Sequence, residues 1–279
     1  MPLTHRLGVC SWSVQATGPA DLASRLSRVG VDCCQLHLDP LREGRWDLSE
    51  TRDALRSAGI AIRSGMMSTH GEDYSTLDSI RVTGGLRPTA HWATNLAIAK
   101  GDAEIARALG LSLVSFHAGF LPHDRTDPER VVLLERLRQV VDVFADHGVV
   151  IAFETGQETA ETLVHALAEL DRPSSGVNFD PANMLLYGMG DPVDSLRRLT
   201  SRVRQVHVKD AKRTKVPGTW GEEVPVGTGE VDWPAFFGVI ADKHLAVDLM
   251  IEREAGNQRL EDIATARALV ARHVQVGAK

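Results

Sequence analysis

Cysteine is scarce in this chain of 279 residues: Cys10, Cys33 and Cys34 are all there is. An odd count, with no CxxC spacing, argues against a disulfide framework and for core thiols in a reducing compartment. Long apolar runs are also missing, and the opening MPLTHRLGVCSW holds no apolar signal core. The expectation is a cytoplasmic protein with no membrane partner. Positive charge is not in excess: 31 Lys and Arg stand against 37 Asp and Glu, for a net charge of −6. That balance argues against nucleic acid as a partner, which needs a positive face. No linker-like or low-complexity segment interrupts the chain. Residues 1–279 are therefore expected to form a single domain.

What is present is an alternation of short apolar runs with longer amphipathic ones. RLGVCSW, CCQLHL, IAIRSGMM, LSLVSFHAG, VVIAFET, SGVNFD, RQVHVKD and AVDLMIERE read as eight strands. Helices are expected at 19–29 and about 48–58, and in AIAKGDAEIARALG. In VVLLERLRQVVDVFADHG, Leu133, Leu137, Val140, Val141 and Phe144 form one helical stripe. Gly59, Gly110 and Gly148 sit where helices end before new strands. Eight strands, each followed by a helix, predict an α/β protein: a single (β/α)8 TIM barrel. The competing doubly wound sheet would show a Gly-rich phosphate turn after its first strand, and none is there.

Two loops are long, about Ser68 to Ala90 after strand 3 and about Ala211 to Val231 after strand 7. Both leave strand C-termini, the face on which barrel active sites lie. Trp92, Trp220 and Arg87, in or beside them, suit a substrate wall.

The strand ends carry unusual residues for an apolar barrel: Trp12, His37, His70, His117, Glu154, Asp180, His207 with Asp210, and Glu252 with Glu254. Closing the barrel gathers them into one ring, where buried unpaired carboxylates would repel each other. A divalent cation offsets that repulsion. Glu154, Asp180, His207 and Glu252 supply three carboxylates and one imidazole from four consecutive strands. Such a set suits Mn²⁺, Mg²⁺ or Co²⁺, with Zn²⁺ as an alternative. Each member also has a plainer reading. Glu154 reads as an N-cap or surface acid, and Asp180, before Pro181, as a natural helix N-cap; Glu252, directly after the apolar LMI run, is preferred to Glu254, a solvated neighbour on the same face. His117 and His70 are open between substrate contact, a second metal site and mouth hydrogen bonding. Trp12 reads as an apolar wall beside the substrate. Alternation turns Lys209 inward with His207.

FETGQETAETL, GVNFDPANM, QVHVKD, EEVPVGTGEVDW and IERE together resemble the xylose isomerase-like barrels. Within them they are similar to the sugar phosphate isomerase/epimerase branch, which includes tagatose 3-epimerases, inosose isomerases and inosose dehydratases. The likeness is strongest from about Val149 to Gly256. It implies one metal, preferably Mn²⁺, on Glu154, Asp180, His207 and Glu252. It also implies a substrate contact at Arg213. Asn183 stands where the epimerases carry a substrate-contacting His, and Glu158 is a second acid at a different offset from theirs.

The expected activity is a divalent-metal-dependent isomerase/epimerase of keto-sugars or inososes. It would work through a metal-stabilised enediolate, with Glu154 and Glu252 as the acid/base pair. A lyase or dehydratase on 3-keto sugars, keto-glycosides or inososes is the alternative, and an apurinic endonuclease is a further one. The expected partner is a small carbohydrate, and dimers or tetramers are compatible with such barrels.

Overall fold

The computed structural model describes residues 4–277. Its centre is a closed barrel of parallel strands. We number them β1 (Leu7–Cys10), β2 (Cys33–His37), β3 (Ala61–Met66), β4 (Leu113–Phe116), β5 (Val150–Glu154), β6 (Ser175–Phe179), β7 (Val203–Val208) and β8 (Asp248–Ile251). Each pairs with the next, and β8 closes on β1 through Leu249–Leu7 and Ile251–Val9. The predicted strand count and architecture are thus observed.

Helices cover the outside. Pro19–Arg28 and Leu48–Ser57 match their predicted spans within a residue or two. The Leu133, Leu137, Val140, Val141 and Phe144 stripe of helix Pro128–Ala145 is wholly buried against the barrel. Helix Trp92–Leu109 ends at Gly110, whose φ of 70° is the left-handed conformation that glycine adopts without a Cβ penalty. The two long loops have structure of their own. The first contains helix Leu77–Thr83, begun by a capping box at Thr76. The second contains a hairpin of Asp210–Lys212 with Glu222–Val224.

The barrel interior departs from the branched apolar filling usual for such folds. Gln35, Ser64, Ser115, Asn178 and Gln205 are all fully buried inside it. They satisfy one another: Gln35 Nε2 donates to Ser115 Oγ at 2.7 Å, and Gln205 Nε2 to Gln35 Oε1 at 2.9 Å. Buried amides are costly unless paired, and a fully paired network holds its members in one arrangement. This layer is the floor on which the site is built.

Candidate metal centre and cavity

Four consecutive strands deliver Glu154, Asp180, His207 and Glu252 to one point. Glu154 ends β5 opposite Asn178 of β6. His207 lies beside Met250 in the β7–β8 ladder, and Glu252 follows one residue past that ladder, its N–H bonded to Val208 O. One ligand atom from each of the four lies within 4.8 Å of the others, and all four residues are at most 4% exposed. These residues form a cluster able to hold a metal ion.

Three observations test that fit. His207 Nδ1 is 3.2 Å from Glu252 Oε2, 3.5 Å from Glu154 Oε1 and 3.7 Å from Asp180 Oδ2. Yet Nδ1, Asp180 Oδ2 and Glu252 Oε2 are buried without a hydrogen bond. Glu252 Oε2 has Lys209 Nζ at 3.0 Å, but native interiors seldom leave atoms such as His207 Nδ1 and Asp180 Oδ2 without a hydrogen bond at one point, and a shared cation satisfies all three. The opposite ring nitrogen is the second point: His207 Nε2 lies 2.7 Å from Gln35 Oε1, which can only accept. Asn178 Nδ2 lies 2.9 Å from the same nitrogen; a proton on Nε2, donated to Gln35, is the tautomer that would turn the Nδ1 lone pair toward the carboxylates, as in a ligating histidine. Third, the N-cap reading of Asp180 leaves room for the ligand reading: Oδ1 caps helix Pro181–Leu186, accepting from Asn183 N–H at 3.0 Å, and Oδ2 has no hydrogen bond.

The other oxygens are held in place. Glu252 Oε1 accepts from Trp12 Nε1 at 2.7 Å. Glu154 accepts from Asn183 Nδ2 at 2.9 Å and from Asn178 Nδ2 at 3.2 Å. The buried Lys209 ammonium lies 2.6 Å from Glu254, 3.0 Å from Glu252 and 3.8 Å from Asp180. Burial works to raise the Glu252 carboxyl, but Lys209 and His207 outweigh it and hold it well below the usual range. Burial wins at Asp180, which rises to about 6 against the pull of Lys209.

A cavity of about 600 Å³ opens at this end of the barrel. Of the residues singled out from the sequence, Trp12, His117, Asn183, Lys209 and Glu252 line it. Glu154, Asp180 and His207 are buried beside Glu252, and His117 Nε2 stands 3.7 Å from Glu154 Oε1. Three others lie elsewhere. His70 is exposed and its ring packs edge-on against His91. Arg213 reaches outward to Gly190 O and Glu230. Glu158 is buried but does not line the cavity, and burial pushes its carboxyl up to about 8. His70 was taken as the end of the third strand, which stops at Met66; Arg213 and Glu158 were placed by sequence offset, and a loop one residue longer or shorter changes where such a side chain ends. Glu254 is half-exposed and serves Lys209 rather than standing free in solvent.

Sequence reasoning named the long loops but not all of their cavity residues. Trp220 of the second loop, which the sequence did single out, lines the cavity, whereas Glu72 and Tyr74 of the first loop and Glu223 of the second went unnamed. Tyr187, against which Trp220 packs edge-on at 4.9 Å, carried no sequence signal. His37 also lines the cavity, with Nε2 3.0 Å from Ser68 Oγ and 3.1 Å from Asp39. Burial opposes ionisation of Asp39, but His37 and Arg42 outweigh it and hold the carboxyl at about 2.

The comparisons agree with this architecture. Residues 23–273 match the family described as xylose isomerase-like TIM barrel, and the chain belongs to that family. The crystal structure of a xylose isomerase domain protein from Planctomyces limnophilus is similar over 97% of both chains, at 30% identity and a TM-score of 0.87. A D-allulose 3-epimerase from Methylomonas sp. shares the fold, with a TM-score of 0.72 over 98% of this chain and 99% of that one, at 15% identity. Among curated proteins, inosose dehydratase of Clostridium botulinum is 25% identical over 139 residues, 44% of this chain and 46% of that protein. The chain spans less than half the length of the curated relatives it matches. Among the described residues, no helix is long and apolar enough to cross a membrane.

Proposed function

We propose that the protein is a metal-dependent isomerase/epimerase of keto-sugars or inososes. The observation that carries this is the convergence of four buried ligand residues, Glu154, Asp180, His207 and Glu252, with His207 Nδ1 and Asp180 Oδ2 lacking hydrogen bonds, beside a sugar-sized cavity. Glu154, Asp180, His207 and Glu252 would hold the ion, Mn²⁺ by preference, with Mg²⁺, Co²⁺ and Zn²⁺ as alternatives. When bound, such an ion supplies Lewis-acid polarisation of a carbonyl and charge stabilisation of an enediolate.

The protein supplies the proton transfers. Glu252 lines the cavity, its Oε1 fixed by Trp12, and takes the proton from the carbon beside the carbonyl. The C–H electron pair becomes the C=C bond of the enediol. On the Glu154 side the cavity-lining group is His117, which passes a proton between Glu154 and the substrate. Return to the opposite face of the same carbon gives the epimer, and return to the former carbonyl carbon gives the isomer. Asn183 and Lys209 hold the substrate oxygens. The three cysteines are buried and unpaired, which supports a reducing, cytoplasmic setting.

A dehydratase is the second reading, and one observation favours it. His37 stands on the cavity wall, oriented by ionised Asp39 as an acid for a leaving hydroxyl would be. The inosose dehydratase relative points the same way. The endonuclease reading loses support from the rim, where Glu72, Glu223 and Glu254 would face a phosphate backbone.

The test is to incubate Mn²⁺-loaded protein in D₂O with keto-sugars and inososes and follow them by NMR. Deuterium next to the carbonyl in an epimeric or isomeric product supports the proposal. An unsaturated product selects the dehydratase. No exchange by protein that retains its metal would refute both.

A further inference from the structure

The cavity's charge and size define its substrate more narrowly, an inference that rests on the enolising activity proposed above. Recognition of a phosphate or carboxylate calls for a free guanidinium, ammonium or similar donor set. None faces this cavity among the described residues. Lys209 is the one Lys or Arg on its wall, and it is shared between Glu252, Glu254 and Asp180. Arg253 lies behind the wall, engaged by Glu223 at 2.9 Å and Asp262 at 2.8 Å. Arg213 reaches away to Gly190 O. The rim itself carries Glu72, Glu223 and Glu254. A divalent ion and Lys209 together balance the three carboxylates of the cluster, so the rim acids leave the mouth negative. An anionic substituent would meet repulsion there and no unpaired Lys or Arg to offset it.

Size is the second argument. About 600 Å³ falls within the ~300–1,000 Å³ of sites that bury drug-sized ligands, which are larger than a hexose of about twelve heavy atoms. The walls are also divided. Beside Glu252 and Lys209 stand His37, His117 and Trp12, the last bonded to Glu252. The outer end is Leu186, Tyr187 and Trp220, with the two aromatic rings packed edge to face. An aromatic corner with polar edges suits the CH-rich face of a second ring.

We propose that the site takes an uncharged keto-sugar carrying a second ring as a glycoside. The reacting ring sits at the carboxylate cluster, the second ring lies against Tyr187 and Trp220, and sugar phosphates and sugar acids are excluded. The test uses the Mn²⁺-loaded full chain and three matched compounds: a 3-ketohexose, its phenyl glycoside and its 6-phosphate. Deuterium exchange rates give kcat/KM, and calorimetry gives Kd independently of turnover. The phenyl glycoside should exceed the free sugar about tenfold in both, and the phosphate should fall about a hundredfold below it. Trp220→Ala should raise KM for the glycoside about tenfold more than for the free sugar, and Trp220→Phe should recover most of that difference. A phosphate handled as well as the neutral sugar, or a glycoside no better than the free sugar, overturns this inference and leaves enolisation standing. Exchange with none of the three, by protein that holds its metal, overturns the enolising activity and this inference with it.

Discussion

Glu158 offers a quantitative check on the interior. It is 4% exposed, and burial alone pushes its carboxyl from 4.5 to about 8. Its folded pKa is therefore raised above its unfolded one. The folded state keeps a proton that the unfolded chain releases above about pH 4.5, so unfolding becomes easier as pH rises. The stability this group contributes is fully present below pH 4.5 and is lost progressively up to about pH 8. At pH 7 the loss spans about 2.5 pH units, or roughly 3 kcal/mol at ~1.36 kcal/mol per unit. Glu158→Gln carries no charge at any pH and escapes that loss. It should match the wild type near pH 4.5, apart from a constant offset. It should gain roughly 3 kcal/mol on it by pH 7, about 6 °C in Tm at ~2 °C per kcal/mol for a chain of this size. Asp102, raised to about 7 by burial against the opposing charge of Arg42, titrates in both proteins and cancels in the difference. Calorimetric melts at half-unit pH steps, with chelator in both samples, make the comparison. Parallel pH profiles for the two proteins would refute the assignment of Glu158 as a desolvated, protonated acid.

Other outcomes follow from the site and its supports. Lys209→Met removes the cation shared by Glu252, Glu254 and Asp180. The metal-free protein should lose about 3 kcal/mol, and Mn²⁺ should restore a larger share of stability than in the wild type, as read by melts with and without the ion. Trp12→Phe deletes the hydrogen bond to Glu252 Oε1. A bond to a charged group contributes ~1.5–3 kcal/mol, so initial exchange rates should fall about tenfold to a hundredfold with metal content unchanged. Gly85 has φ +62° and a Cβ there would clash with the Ala118 carbonyl group. Gly85→Ala should cost about 2 kcal/mol or more and loosen the loop bearing Glu72, whose carboxylate accepts the Gly85 N–H. Limited proteolysis within 68–90 would detect it.

How much of this was legible in the sequence depends on the range of the interaction. Strands and helices were readable because Val206 and Val208 alternate, and Leu133, Leu137 and Val141 recur at helical spacing, within one element. The candidate metal cluster was readable because a barrel brings every strand's C-terminus to one face, so four acid-or-imidazole endings imply one another. Preference for Glu252 over Glu254 rested on its following the apolar LMI run directly. In the fold that places Glu252 in the cluster and Glu254 on Lys209. Gln35 illustrates what was hidden. It orients His207 from 172 positions away, and nothing near CCQLHL says that its glutamine faces a histidine. His70 was taken as a strand end, and Arg213 was chosen by distance along the chain from one. The paths of helix Leu77–Thr83 and of the 210–224 hairpin, which set the walls, depend on packing between loops. Tyr187 joined the cavity only through such packing against Trp220.

The central claim is that Glu154, Asp180, His207 and Glu252 hold one divalent ion. It is tested most directly by loading chelator-treated protein with Mn²⁺, removing free ion, and measuring bound Mn²⁺ per chain by elemental analysis and electron paramagnetic resonance. The account predicts about one ion per chain in the wild type, loss of it in His207→Ala and in Asp180→Asn, and retention in Glu158→Gln. A wild type that retains none, a stoichiometry near three, or binding undiminished in His207→Ala would contradict it.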